Sequence, residues 1–419
     1  MTAVGISAFG FSTPLGSDYE AVSISLREGR TGIREILKYD TTSFKSSYGG
    51  VPKEGNDAIR WPARTANMIG DVFYTDRAID RLKRHPAFPA NEYRAERIGC
   101  FVGADEPVAD IQRALEFVER QCKPEKSERP SDAERAHFRP GNLLNYDPTI
   151  ILKRVARALP FSGPAAIHAG LCAASLQAIG MGYLSVLRGR IDAAIVGGVS
   201  AKLTPEHFAG LEAVDVICTD ERIAPPLRSR PFDTRRSGYV PAEGAVLFLL
   251  ERVDRIKARG AECLLEIAGY GSSLGASHVV APHPDSREMT LAMRRALSSA
   301  GLEPSEIDLV NAHGTSTVLN DIHEAKAIRD TLPSDVMVTA NKSLHGHLIA
   351  AAGAMETLNT LIGCREGFIP GTLNLELQDP RCPLNLVTST VHSRPRHVLK
   401  NSFGMGGLAS SMIFRSCHL

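Results

Sequence analysis

The chain of 419 residues has no excess of either charge: Lys and Arg number 48 and Asp and Glu 47. That balance excludes a global attraction to nucleic acid or to an anionic membrane surface and leaves room only for a local basic patch. Cysteine pairing is also missing. The eight cysteines stand at 100, 122, 172, 218, 263, 364, 382 and 417, and none forms a CxxC pair. A zinc site or a dithiol redox motif is therefore not suggested. Several of them sit in apolar runs, as free thiols of a reducing compartment would. Long hydrophobic runs are absent too: AVLFLL at 245–250 is far too short to span a bilayer. The opening MTAVGISAFGFSTPLG shows no basic n-region and no apolar h-region. The expectation is a soluble cytoplasmic protein without nucleic-acid or membrane partners.

A hydrophobic content of 43% suffices for a large core. Short apolar runs alternate with helical patterns. Strands are expected at 98–102, 193–196, 245–250, 264–267 and 309–312, and helices at 173–187, 251–258, 287–299 and 321–330. This alternation predicts α/β layers with mostly buried strands. Segment 120–145 reads as a charged surface excursion, and 220–239 as a Pro- and Arg-rich loop. No short tandem repeat is visible.

Four clusters carry chemistry. Cys172, in AGLCAAS, is crowded by small residues and stands where a helix begins. A thiol there feels the positive end of the helix dipole, which favours thiolate, and its own N–H is free to serve an oxyanion. A buried structural cysteine is the plain alternative. His313, in NAHGTST, ends an apolar strand, the position that faces the crevice of α/β folds. Lys342, His345 and His347, in NKSLHGH, precede an Ala- and Gly-rich helix. A metal site at His345 and His347 lacks carboxylate or cysteine co-ligands at ligand spacing. The loop SFGMGG at 402–407 has the glycines to aim N–H groups at a ligand, though such a loop also serves as a plain tight turn.

In this order the clusters resemble the elongating β-ketoacyl-acyl-carrier-protein synthases and the ketosynthase domains of polyketide synthases. The opening GISAFGFSTPLGSDYEAVSISLREGRTGI and the segment RPFDTRRSGYVPAEGAVLFLLE at 230–251 are similar to that family as well, so the likeness covers nearly the whole chain. The resemblance implies a duplicated five-layer αβαβα thiolase fold, with halves 1–259 and 260–419, and a homodimer. It implies Cys172 as the acylated nucleophile, His313 and His347 as the catalytic histidines, and Lys342 as the organising lysine, supported by Glu356. Thr315 and Thr317 would bind the phosphopantetheine arm, and the backbone N–H groups of Cys172 and Met405 would form the oxyanion hole. Arg222, with Arg60 and Arg64, would dock an acyl carrier protein. No metal or other cofactor is implied.

The implied reaction is a decarboxylative Claisen condensation between an acyl group on Cys172 and malonyl-acyl-carrier protein. Two imidazole N–H groups would stabilise the enolate oxygen. The chain departs from the family pattern at Met405, usually phenylalanine, at Leu408-Ala409, Val280 and His345, and at Gly170-Leu171. These departures suggest a specialised pathway. An acyltransferase or hydrolase of the same fold that never decarboxylates is the alternative within acyl chemistry. A silent chain-length-factor-like subunit is the alternative outside catalysis, and pairing of this active chain with such a subunit is a further possibility.

Overall fold

A computed structural model describes residues 3–60, 69–89, 92–105 and 147–418. The expected excursion at 120–145, and with it Arg64, lies outside the described residues. Among the described residues eleven strands form the large sheet: β1 Val4–Ser12, β2 Ile98–Ala104, β3 Ala165–His168, β4 Ala193–Ser200, β5 Gly244–Arg252, β6 Leu265–Leu274, β7 Leu309–Asn311, β8 Met337–Thr339, β9 Asn385–Leu386, β10 His397–Gly404 and β11 Leu408–Arg415. Their order is β9-β8-β7-β10-β11-β6-β1-β5-β4-β2-β3.

That order contains the same pairing pattern twice. In the first half β1 runs antiparallel to β5, β5 antiparallel to β4, and β4 and β2 parallel to their next neighbours. In the second half β6 runs antiparallel to β11, β11 antiparallel to β10, and β10, β7 and β8 follow in parallel. The halves meet where Val4, Gly5 and Ile6 pair with Ile267, Glu266 and Leu265. The repeat is one of topology, which explains why no repeat of residues shows in the sequence.

Helices complete five layers. Helix α1 (Gly70–Arg84) covers the outer face of β1 and β5, α3 (Arg287–Ala300) covers β6 and β11, and α4 (Val318–Arg329) packs beside α3. Between the two half-sheets lie α2 (Ala174–Leu187) and α5 (Ala352–Glu366), and α2 touches strands of both halves. A helix enclosed on all sides has no polar face, and α5 is buried from Ala352 to Cys364. Close approach needs small residues: a Cβ on Gly353 would meet Leu176 at 2.9 Å, so α5 and α2 pack backbone to backbone there. Both central helices therefore start at the same place, with Cys172 before α2 and His347 before α5. No described helix is long and apolar enough to cross a membrane.

Candidate active site

Cys172 sits in a tight 3-10 turn, Leu171–Ala173, that leads into α2 at Ala174. Leu171 holds φ 47°, an outlier for a branched residue that costs on the order of 1–3 kcal/mol. Ile349, two residues after His347, holds φ 40°. Strain on both sides of the same spot is the mark of a site over-determined by its surroundings. The loop after β10 closes over it: a Cβ on Gly404 would come within 3.0 Å of the Gly170 carbonyl.

The Sγ of Cys172 lies 3.0 Å from Nε2 of His347. The Nδ1 of His347 accepts the Ile349 N–H at 3.2 Å. With Nδ1 an acceptor, the ring hydrogen of the neutral imidazole belongs on Nε2, pointing at the sulfur. His313 is set the same way, because its Nδ1 accepts from the Lys342 ammonium at 3.1 Å. The two rings stand edge to face with centroids 5.3 Å apart. The result is two Nε2–H donors beside one thiol.

The charges around them keep that state. Lys342 also donates to the His313 carbonyl and to Glu356 Oε1, each at 2.5 Å. Lys400 pairs with Glu356 Oε2 at 2.7 Å. Burial first, and then the charges of Lys342 and Lys400, push both catalytic-candidate imidazoles well below the ordinary histidine range. Burial alone would raise the Glu356 carboxyl, yet the two lysines hold it below its usual value. Glu324 accepts the N–H groups of His313 at 2.7 Å and Gly314 at 2.8 Å, which fixes the backbone of that turn.

The thiol corrects one expectation. Burial pushes Cys172 up to about 12, against the charge of Lys342 and its own backbone N–H, both of which pull it down. Burial thus opposes the thiolate expected at the helix N-terminus. His345 stands apart from the site: its Nδ1–H donates to the Gly346 carbonyl at 2.7 Å, and its buried Nε2 has no hydrogen-bond partner among the described residues. The ligand atoms that do converge, within 4.8 Å, belong to Cys172, His313 and His347. Lys342 and Lys400 beside them oppose a metal cation.

A cavity of about 730 Å³ opens on Cys172, His313 and His347 and is lined also by Thr315, Thr317, Val280 and Met405. The Thr315 and Thr317 hydroxyls lie 2.8 Å apart. Arg222 and Arg60 are not among its lining residues. The Arg222 guanidinium, 90% exposed, is held by Asp220 at 2.9 and 2.8 Å, and Arg60 donates to the carbonyls of Asn56 and Ile59. Sequence reasoning missed Lys400 and Glu324. Their signals were a lysine inside the apolar run of HVLKNSF and a carboxylate on the helix that follows the His313 turn.

Two family models match. The beta-ketoacyl synthase N-terminal domain covers residues 1–255 and its C-terminal domain residues 264–376. The 3-oxoacyl-[acyl-carrier-protein] synthase 2 of Synechocystis is 32% identical, over 98% of this chain and 97% of its own length. The ishigamide ketosynthase/chain length factor superposes with a TM-score of 0.81 at 27% identity, covering 99% of both chains. A structure of a type II PKS acyl-carrier protein in complex with its ketosynthase bound to the hexaketide gives a TM-score of 0.87, again over 99% of both chains. Its 24% identity speaks to the fold alone.

Proposed function

This chain belongs to the β-ketoacyl synthase family, a group of condensing acyltransferases of fatty-acid and polyketide biosynthesis, and we propose how its own residues divide the work. Cys172 attacks an acyl thioester on a carrier protein. The carrier's thiol leaves and takes up the proton that Cys172 gives up. The backbone N–H groups of Cys172 and Met405 hold the tetrahedral oxyanion, each such donor being worth about 3–4 kcal/mol.

Malonyl-carrier protein then loses CO₂, and the enolate oxygen receives the Nε2–H groups of His313 and His347. The enolate carbon attacks the acyl-Cys172 carbonyl, and the sulfur leaves. One observation carries this reading: both imidazoles have Nδ1 taken by a donor, which leaves the hydrogen on Nε2, and each brings a ring nitrogen within 4.8 Å of the Cys172 sulfur. Neither Nδ1 is available as a base, so the pair acts by stabilising negative charge. The chemistry asks for no metal or redox cofactor.

Thr315 and Thr317, on the cavity wall, suit the amides and hydroxyl of a phosphopantetheine arm. The partner is an acyl carrier protein, and exposed Arg222 is a steering group for its acidic surface. The assembly is a dimer, of two identical chains or with a related subunit. The relative solved as a ketosynthase/chain length factor supports the second form. Incubating the protein with acyl- and malonyl-carrier proteins tests the reading: a 3-oxoacyl product with loss of CO₂ supports it, and free fatty acid without CO₂ loss would indicate a hydrolase.

A further inference from the structure

The same cavity that exposes Cys172 carries ionisable groups on its wall. Asp105 follows the end of β2, and Lys202 follows the end of β4, its parallel neighbour. His207 lies on the adjoining helix Pro205–Ala213 and also faces the cavity. Asp105 and Lys202 are 8% and 9% exposed, and Asp105 accepts the Ser200 hydroxyl at 2.7 Å. The Lys202 ammonium donates to Nε2 of His207 at 2.6 Å, which places the hydrogen of that imidazole on Nδ1, 3.4 Å from the Thr204 hydroxyl. Leu211, Val216 and Ile349 add apolar surface to the wall, and Asp215, Glu288, Thr315 and Thr317 further polar groups.

A saturated hydrocarbon laid along this wall would face these polar side chains without making a hydrogen bond to any of them. An oxygen on the chain could accept a hydrogen bond from Lys202, while Leu211, Val216 and Ile349 make apolar contact with its carbons. Asp105 is close enough to Cys172 to raise its thiol electrostatically, so the polar patch and the nucleophile share one short stretch of cavity.

We propose that the acyl chain transferred to Cys172 carries a hydrogen-bonding oxygen, as hydroxyl or ketone, that is read by Lys202, which His207 positions, beside Asp105. The proposal rests on the reading of Cys172 as the acylated nucleophile. It is tested with pantetheine thioesters: acetyl, a medium-length saturated acyl chain, and chains of that length with one hydroxyl or ketone placed at successive carbons. Acylation of Cys172 is followed by intact mass in the wild type, Lys202→Met and His207→Leu.

The wild type should prefer one oxygenated isomer over the saturated chain by about tenfold or more. Both substitutions should bring that ratio toward one. The ratio is taken within each variant, so a general loss of activity cancels, and His207→Leu serves if Lys202→Met does not fold. Equal rates for saturated and oxygenated chains in the wild type, or a ratio unchanged in the variants, overturns the proposal while acetylation of Cys172 keeps the condensing-enzyme reading standing. Absence of any acetyl adduct on Cys172 would overturn both.

Discussion

The Nε2 of His347 faces the Sγ of Cys172 at 3.0 Å, and because Ile349 occupies Nδ1, the nitrogen nearest the sulfur is a donor. An imidazole so placed stabilises a negative charge that forms next to it. His347→Ala and His313→Ala should each lower decarboxylation of malonyl-carrier protein by about 100-fold, while acylation of Cys172 falls less. The double variant should lose little more than either single one, since two donors on one oxygen act as a unit. Release of labelled CO₂ measures this, and losses that multiply would argue against a shared oxyanion.

Glu356 is buried between Lys342 and Lys400. Glu356→Gln leaves two ammonium groups facing each other without a counter-charge, which costs about 3–5 kcal/mol. The melting temperature should drop sharply. Adding Lys400→Met should recover part of the loss, because it removes one of the stranded charges. A double variant less stable than Glu356→Gln would contradict this account of the triad.

His345 is kept neutral by burial first and then by Lys342 and Lys400, with Glu356 opposing, and titrates near 4 instead of its ordinary 6.5. A depressed histidine contributes stability that is full above the unfolded value and is lost as pH falls, down to the folded value. Asp71, raised to about 7 by burial, works in the opposite sense, so the whole-protein slope mixes signs. The comparison with His345→Leu isolates the term. From pH 7 to pH 5 the wild type should lose about 2 kcal/mol more than the variant. Parallel stability profiles by denaturant titration would show that His345 is not the group responsible.

Met405 lies on the cavity wall beside the Cys172 turn and is partly exposed. Methionine is unbranched and re-packs around different shapes, whereas phenylalanine is a rigid plate. Met405→Phe should narrow the range of primers accepted, with acetylation of Cys172 intact. Coinciding primer profiles across a chain-length series would remove the gating role.

The site was legible in the sequence where each group lies in its own short motif. Cys172, His313, Lys342 and His347 all stand next to Gly, Ala or Thr turns, and folding brings these turns to one end of the central helices. Most of the expected strands and helices occur within a few residues of their expected bounds. The expected helix at 251–258 begins later, at Val253, because β5 runs on to Arg252. Lys400 was hidden because its partner is distant in sequence: it is joined to Glu356 only by tertiary structure. The segment 220–239 reads as a Pro- and Arg-rich loop, and within it Arg230 and Arg236 are buried. Arg236 pairs with Asp379 at 2.8 Å and Asp321 at 3.3 Å, and Arg230 with Asp233 at 3.1 Å. Charge pairing of this kind turns an exposed-looking composition into core, and no local pattern announces it.

The central claim is that Cys172 carries the acyl group through a decarboxylative condensation. Intact-mass spectrometry follows it directly: the protein is acylated by an acyl-carrier protein, separated, and mixed with malonyl-carrier protein. The account predicts an acyl mass shift on the wild type that is absent in Cys172→Ala. The shift should disappear on addition of malonyl-carrier protein, as CO₂ is released and the carrier gains the 3-oxoacyl chain lengthened by two carbons. An acyl shift that persists in Cys172→Ala, or one lost only to water as free acid, would contradict it.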